Sequence, residues 1–346
     1  MQTKSTMSYF NSSFLALLIG GGLGFMLDGL SGVFFVLVLS ALEISLSFDN
    51  AVVNASVLKN WDSSWRRLFL WVGLPIAVFG MRLVFPIMIV TVTTGMGAME
   101  TFHMALNEPA RYAVALTAVH HQVAAFGGAF LMMVAFEFFI DEDKDNHWIE
   151  MLEQLMIKLG TYQKAVSAGI VLTILVLMSN QLPAKEGHEF LVAGVIGIIA
   201  YVAVKFFAQI LSGGEDDGKI VAQGIGGLIY LEILDASFSF DGVIGAFAIT
   251  NHLLTIMIGL GVGAMFVRSL TIYLVDKGTL TEYRYLEHGA FWAILALSII
   301  MFVGVSHEIP EVVTGLIGLV LIGASFWHSV NANKRDAASS ALTSLV

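Results

Sequence analysis

Long apolar runs separated by short polar segments dominate the pattern of hydrophobic positions along the chain. About 20 consecutive apolar residues are enough to cross a bilayer as a helix. The pattern predicts ten spans, at residues 13–29, 32–57, 68–94, 114–140, 165–182, 190–210, 221–250, 252–275, 287–305 and 309–330. We therefore expect an all-α fold, a polytopic transmembrane helical bundle embedded in a lipid bilayer.

The composition narrows the class of protein further. Apolar residues make up 57% of the 346 residues and charged residues 13%, against about 25% charged in soluble domains. The net charge of −10 excludes nucleic acid as a partner, and the hydropathy argues against a soluble enzyme. The chain has no Cys, which excludes thiolate chemistry. The first apolar run follows no basic segment and precedes no small-residue cleavage site, so we expect a retained membrane helix.

The distribution of basic residues tests the number of spans. With ten spans, the side that holds both termini carries Lys4, Lys59, Arg66, Arg67, Lys144, Lys158, Lys164, Lys219, Lys277, Arg284, Lys334 and Arg335. The opposite side carries only Arg111 and Lys185. Because basic residues concentrate in cytoplasmic loops, both termini are expected to be cytoplasmic. Residues 141–164 on that side show an amphipathic pattern that predicts an interfacial helix, whereas residues 95–113 predict a short external connection.

Two similar acidic motifs lie inside predicted spans. Residues 43–50 read Glu-Ile-Ser-Leu-Ser-Phe-Asp-Asn, and residues 235–242 read Asp-Ala-Ser-Phe-Ser-Phe-Asp-Gly. An arginine follows within the next span in each case, Arg82 after the first motif and Arg268 after the second. The motifs are five spans apart, an odd number, so the second copy must cross the membrane in the opposite direction. This predicts two inverted repeats, residues 1–182 and 183–335, followed by a cytoplasmic tail at 336–346, with the substrate site near the midplane where transporters of this design place it.

The motifs place several carboxylates where charge is costly. Each carboxylate at the bilayer centre costs about 2.5–3.5 kcal/mol, so Arg82 and Arg268 would leave a surplus of negative charge. A divalent cation would compensate this surplus. The acids concerned are Glu43, Asp49, Glu232, Asp235 and Asp241.

Helical spacing separates the polar residues of each motif into two faces. Glu43, Ser47, Asn50 and Asn54 share one face, and Asp49 stands on another; Glu232, Asp235 and Ser239 are likewise separated from Asp241. Either each helix presents two polar faces, or it is broken near Ser-Phe-Asp so that both acids turn towards one cavity, which is the arrangement we favour. Asn54, Ser47 and Ser239, with the two arginines, are candidates for gating or charge balance.

The motif pair resembles the TerC family of integral membrane proteins, which is associated with tellurium resistance and manganese export. The resemblance implies metal-handling roles for Glu43, Asp49, Asn50, Glu232, Asp235 and Asp241, and a location in the bacterial inner membrane. The oxygen ligands of the motifs suit Mn²⁺, Ca²⁺ or Mg²⁺ as transported substrate. Gly242 replaces the Asn50 of the first copy, which leaves the identity of the metal open.

The sequence thus predicts a secondary transporter that exports a divalent cation, most simply Mn²⁺. A divalent cation leaving a negative interior needs about 4.6 kcal/mol per 100 mV, so protons are the expected coupling ion, in antiport. The alternative is a non-transporting membrane partner with a bound divalent cation, either a metal sensor or a component of a stress-response or protein-insertion complex. We expect no enzymatic activity and no organic cofactor, and homo-oligomers are compatible with the sequence.

Polar residues outside the two motifs give weaker evidence of a functional site. His120, His121 and Glu137 lie on the fourth span, and His307 and Glu308 lie between the last two. They could form a second metal or proton-relay site. The alternative, which we favour for the outer histidines, is that they are solvated at the membrane surface.

Overall fold

The computed structural model describes residues 5–141, 146–160, 165–211, 223–307 and 309–343, and every regular element in these ranges is helical. The helices are α1 (Thr6–Leu46), α2 (Phe48–Leu58), α3 (Ser63–Pro75), α4 (Phe85–Thr94), α5 (Ala98–Asn107), α6 (Pro109–Ala118), α7 (His120–Ile140), α8 (Glu150–Gly160), α9 (Ala165–Ser179), α10 (Ala184–Leu211), α11 (Ile225–Ile249), α12 (Leu253–Asp276), α13 (Thr279–Glu282), α14 (Leu286–Gly304) and α15 (Glu311–Thr343). A π-helical segment, Ile76–Val84, joins α3 to α4.

Helix α1 is a hairpin of two helices. A straight helix of its 41 residues would be about 60 Å long, twice the thickness of the hydrocarbon core. Asp28 and Gly29 leave helical geometry, and Gly29 has a φ of 56°, a conformation that glycine adopts readily. A Cβ built on Gly24 would lie 2.8 Å from the carbonyl oxygen of Gly32, although these residues would be about 12 Å apart in a straight helix. The chain therefore folds back at Asp28–Gly29, the last two residues of the first predicted span.

Each of the ten predicted spans overlaps a helix in the described part of the chain. Seven helices are long and apolar enough to cross a membrane: Thr6–Leu46, Ser63–Thr94, His120–Ile140, Ala184–Ile210, Leu253–Asp276, Leu286–Gly304 and Val313–Ser339. The first of these contains both arms of the hairpin. Helix α9 is apolar but has only 15 residues, and α11 has 25 residues but contains the second motif with its acids. The prediction of a polytopic helical bundle is confirmed.

The external connection is more structured than the sequence suggested. Residues 95–113 were expected to form a short link, but they contain α5 and the start of α6. The span predicted at 114–140 is interrupted at Val119, where φ is −100° and ψ is 3°, and α7 starts only at His120. Pro109 at the start of α6 explains the extra helix, because its fixed φ and missing N–H suit the first helical turn.

Contacts along neighbouring helices give their relative directions. They pair Gly127 with Ser237 and Phe130 with Tyr230 (α7 and α11), Gly128 with Phe302 and Phe138 with Phe291 (α7 and α14), Gly289 with Ser325 and Ala293 with Gly318 (α14 and α15), and Gly315 with Leu46 and Gly318 with Asp49 (α15 and the first motif). The first three pairs of helices are antiparallel and the last is parallel. Helix α11 therefore runs in the direction opposite to the first motif helix.

Polar segments predicted on the side of the termini contact one another. The pairs are Lys59 with Glu287, Asp62 with Gln223, Trp148 with His328 and Arg284 with Asp336. They gather at one end of the bundle, as alternating spans require. That this end faces the cytoplasm stays a prediction.

The predicted interfacial segment, residues 141–164, contains helix α8. Residues 142–145 and 161–164 of this segment lie outside the described residues. Met151 and Leu155 of the apolar stripe are exposed, at 80% and 56%, as a face turned towards a membrane surface would be. Glu153, on the same helix, is instead buried at 1% exposure.

Candidate functional site

The two sequence motifs meet in the interior of the bundle. Asn50 on α2 donates a hydrogen bond from Nδ2 to Oδ1 of Asp235 on α11, at 2.5 Å. Both side chains are buried, Asn50 at 2% and Asp235 at 8% exposure. The structure therefore brings these two predicted site residues into direct contact, although 185 positions separate them in the sequence.

The first motif contains a buried ion pair. Arg82, on the π-helical segment, donates from Nη2 to Oε1 of Glu43, and Ser47 donates from Oγ to the same oxygen at 2.8 Å. The other oxygen, Oε2, faces Gly242 of the second motif, where a Cβ would lie 3.6 Å away. Glu43 thus lies between its own arginine and the second motif helix.

The second motif contains a looser ion pair. Arg268 Nη2 lies 3.5 Å from Glu232 Oε1. The guanidinium also donates to the backbone carbonyls of Phe69, at 3.2 Å, and Gly73, at 2.6 Å, and stacks over the Phe69 ring at 4.5 Å. Arg268 is therefore held mainly by α3 and leaves Glu232 without a hydrogen-bond partner among the described atoms.

A glycine from the opposite half lies against each ion pair. A Cβ on Gly73 would lie 2.3 Å from Glu232 Oε1, and a Cβ on Gly263 would lie 2.4 Å from the Cβ of Glu43. Gly73 is on α3, which follows the first motif, and Gly263 is on α12, which follows the second. The motif acids are thus packed against backbone from the other half of the chain, through small residues that allow helices to approach closely.

Asp49 occupies a separate environment from Asn50. It lines a small cavity with Ser45 and residues of α14 and α15, and its Oδ2 faces Gly318, where a Cβ would lie 3.6 Å away. Its Oδ1 accepts a hydrogen bond from the backbone N–H of Asn50 at 2.8 Å. The two polar faces predicted for the first motif are therefore present in the structure.

The expected helix break is found in one motif only. Ser47 has φ −105° and ψ 18° and separates α1 from α2, whereas the second motif lies within the uninterrupted helix α11. The expected break is therefore absent from the second motif, where Gly242 packs against Glu43 within the helix. The break at Ser47 also leaves Glu43 against Gly242 and Asp49 against Gly318, so it does not turn both acids of the first motif into one cavity.

Several buried oxygens of the two motifs have no hydrogen-bond partner among the described atoms. They are Asn50 Oδ1, Asn54 Oδ1, Glu232 Oε1 and Oε2, Asp235 Oδ2 and Ser239 Oγ. Buried polar atoms are normally hydrogen-bonded, and carboxylate and amide oxygens accept but do not donate. A cation would satisfy them. Asp241 lies on α11, but its side chain lies outside the described part of the structure.

Two of the other polar candidates, His121 and Glu137, are paired away from the motifs. Glu189 Oε2 lies 3.0 Å from His121 Nε2 and accepts from Gln122 Nε2 at 2.9 Å. Glu137 binds Lys205 and Tyr201, each at 2.5 Å. Glu308 lies outside the described residues.

Sequence patterns missed two groups of residues. Gly73, Gly263 and Gly318 pack against motif acids, but a glycine-rich membrane protein gives no signal that singles out these three. A cluster of His147, Glu153 and His288 was also missed, because His288 is distant in the sequence and the spacing of His147 and Glu153 is not that of a known metal-binding motif.

Comparison with known proteins gives a family but no relative of known activity. No curated protein and no solved structure matches the chain. The resemblance to the TerC family therefore stays a prediction. One family model, described as "Protein of unknown function (DUF475)", matches residues 48–336. Since this match covers the second motif, the last three residues of the first motif and most of the chain, the protein, a helical membrane-type bundle, belongs to the DUF475 family.

Proposed function

We propose that this protein is a secondary transporter that exports a divalent metal cation, most simply Mn²⁺, in exchange for protons. The observation that carries the proposal is the contact between Asn50 and Asp235, which joins two oppositely directed motif helices. In transporters with inverted repeats, the substrate site lies where the repeats meet. Reciprocal packing of Gly73 and Gly263 on the motif acids supports a repeat-related site.

The balance of charge favours a cation as the ligand. Among the described side chains, Glu43 is paired with Arg82 and Glu232 lies near Arg268. Asp49 and Asp235 make no ion pair with a described residue. Two charged carboxylates in a membrane interior cost about 5–7 kcal/mol on insertion scales. A bound divalent cation would offset this cost, and protons would do so when the cation leaves.

The chemistry of the ligands favours a hard cation. Carboxylate, amide and hydroxyl oxygens are preferred by Mg²⁺, Ca²⁺ and Mn²⁺, and the two motifs contain no His and no Cys. The resemblance to the TerC family favours manganese within this group. The direction of transport, export, rests on the same resemblance.

Coupling to protons follows from competition at the carboxylates. A carboxylate binds either a proton or the metal, so loading one releases the other. Two protons entering for each divalent cation leaving would make the exchange electrically neutral. This removes the opposing membrane potential, about 4.6 kcal/mol per 100 mV for the cation alone.

The test is metal flux into proteoliposomes that contain a metal-sensitive dye. Mn²⁺, Ca²⁺ and Mg²⁺ are compared for the native chain, for Asp49→Asn and for Asp235→Asn, with and without a pH gradient. Glu108→Gln is the control, because Glu108 is exposed and pairs only with the exposed Arg111 among the described residues. We expect saturable flux of one ion, driven by the pH gradient, unchanged in the control and lost in both motif variants.

The alternative function is a membrane metal sensor that binds the cation without moving it. It would give metal binding that depends on Asp49 and Asp235, but no flux for any ion. That result would overturn the transporter proposal.

A further inference from the structure

A second cluster of possible metal ligands lies at the end of the bundle that holds the termini. His147 precedes α8, Glu153 lies on α8, and His288 lies in the first turn of α14. Glu153 Oε2 is 3.4 Å from His147 Nδ1 and 3.5 Å from His288 Nε2. One ligand atom from each residue lies within 4.8 Å of the other two. The cluster is separate from both motifs.

The two oxygens of Glu153 have different surroundings. Oε1 accepts hydrogen bonds from Trp292 Nε1 at 3.1 Å and from the backbone N–H groups of Trp148, at 3.3 Å, and Ile149, at 3.2 Å. Oε2 has no hydrogen-bond partner among the described atoms, although two imidazole nitrogens face it. Glu153 as a residue is only 1% exposed. A buried carboxylate oxygen that makes no hydrogen bond indicates a missing ligand.

We propose that His147, Glu153 and His288 bind a divalent transition-metal ion, with Zn²⁺ preferred over Mn²⁺. Zinc ligands lie about 2.0–2.1 Å from the metal, so two ligands at the tetrahedral angle are about 3.3–3.4 Å apart. The observed separations of 3.4 and 3.5 Å match this spacing. Two imidazoles and one carboxylate form a three-ligand zinc site with a fourth position for water. Imidazole donors bind Zn²⁺ more strongly than Mn²⁺, unlike the oxygen ligands of the motifs.

The site would fasten the segment between α7 and α9 to the main bundle. His288 Nε2 also lies 2.6 Å from the backbone carbonyl of Asn146. Metal binding requires this nitrogen to be deprotonated, so it would turn from the carbonyl to the metal. Trp148, just before α8, donates a hydrogen bond to His328 of α15, and Trp292 of α14 donates one to Glu153 of α8. These two bonds already hold α8 against α14 and α15. The metal would complete this attachment, so its role is structural and independent of transport.

The experiment uses the full chain, purified in detergent and stripped with a chelator. Zn²⁺ is titrated in competition with a chromophoric chelator, and Co²⁺ is added separately to record the visible spectrum of the bound ion. The variant is His147→Gln, since His147 is 25% exposed and the change is tolerable for folding. The control is His103→Gln, because His103 is exposed on α5.

We expect one tight Zn²⁺ site per chain with an intense, four-coordinate Co²⁺ spectrum. His147→Gln should weaken Zn²⁺ binding by at least about 100-fold, since even second-shell changes cost 10–100-fold, and His103→Gln should not change it. If His147→Gln aggregates, the Zn²⁺ affinity of Glu153→Gln and the Co²⁺ spectrum of the native chain test the proposal instead. Equal affinity in the native chain and the variants, or a six-coordinate spectrum, would overturn the proposal. Asp49→Asn should still bind Zn²⁺ at this site. Failure of the zinc-site proposal can therefore be distinguished from failure of the transporter proposal.

Discussion

Asn50 and Asp235 share one hydrogen bond of 2.5 Å, and each keeps an oxygen, Asn50 Oδ1 and Asp235 Oδ2, without a hydrogen-bond partner among the described atoms. The bond therefore aligns the two side chains and leaves one oxygen of each able to bind a cation. Because they stand on helices of opposite direction, the contact is the point at which a cation would touch both halves of the chain at once.

Replacing Asn50 with Asp tests whether this contact holds a cation. Asn50→Asp would place a second carboxylate against Asp235, and we expect a loss of about 2.5–3.5 kcal/mol of stability without metal. Mn²⁺ should recover more stability in this variant than in the native chain, because a metal that binds only the folded state stabilises it. Thermal unfolding in detergent, with and without Mn²⁺, measures both effects. Asn50→Ala serves as the control, and an equal gain from Mn²⁺ in both variants would contradict the prediction.

Removing Arg82 should show that Glu43 is charged in the interior. Arg82→Met leaves Glu43 as an uncompensated buried charge, so we expect a loss of about 3–5 kcal/mol. The double variant Arg82→Met with Glu43→Gln should recover most of this loss, since no charge is then left unpaired. Thermal unfolding of the single and double variants gives the coupling between the two positions. Additive losses would mean that the pair is not a charged unit.

Enlarging Gly73 should disturb the second ion pair. The added Cβ of Gly73→Ala would lie 2.3 Å from Glu232 Oε1 and 2.6 Å from Arg268 Nη1, so both side chains must move. We expect a destabilisation of about 1–3 kcal/mol, the usual cost of overpacking. Gly21→Ala is the matched control, because nothing lies within 4 Å of the Cβ position there. Unfolding temperatures of the two variants that do not differ would contradict the packing described.

Filling the cavity at Asp49 should block flux. At Gly318 a Cβ would be in ordinary contact, 3.6 Å from Asp49 Oδ2, so Gly318→Ala should behave as the native chain. The larger Gly318→Leu should fill the cavity and reduce Mn²⁺ flux by at least about tenfold. Gly323→Leu, on the same helix where the Cβ position is open, is the control. Native flux in Gly318→Leu would mean that the ion does not approach Asp49 from this side.

Much of the bundle could be predicted because lipid imposes a simple pattern. Each of the ten apolar runs overlaps a helix of the described residues, and the odd number of spans between the motifs gave the opposite direction of α11. The pairing of Arg82 with Glu43 was also accessible, since buried acids require compensation. Local backbone features were only partly accessible. A break near Ser-Phe-Asp was expected in both motifs and is found at Ser47 alone, and the helix begun by Pro109 was not expected.

The orientation of individual acidic side chains could likewise not be predicted from the sequence. Asp49 turns to α15 because Gly318 leaves room there, and this glycine is one of 34 in the chain. Glu153 belongs to an amphipathic segment whose polar face would normally be solvated. It is buried because His147 and Trp148 of its own segment and His288 and Trp292 of α14 surround it, and no local periodicity encodes that neighbourhood.

The hairpin in α1 has a consequence for biogenesis. Its first arm, residues 6–27, carries no charged residue, while its second arm leads directly into Glu43 and Asp49. The close approach of Gly24 and Gly32 allows the arms to pair as soon as both are synthesised. The acid-bearing arm would then enter the bilayer beside a neutral partner, before Arg82 has left the ribosome. A bulky residue at Gly32 should therefore impair insertion during translation, even under conditions in which the completed chain is stable.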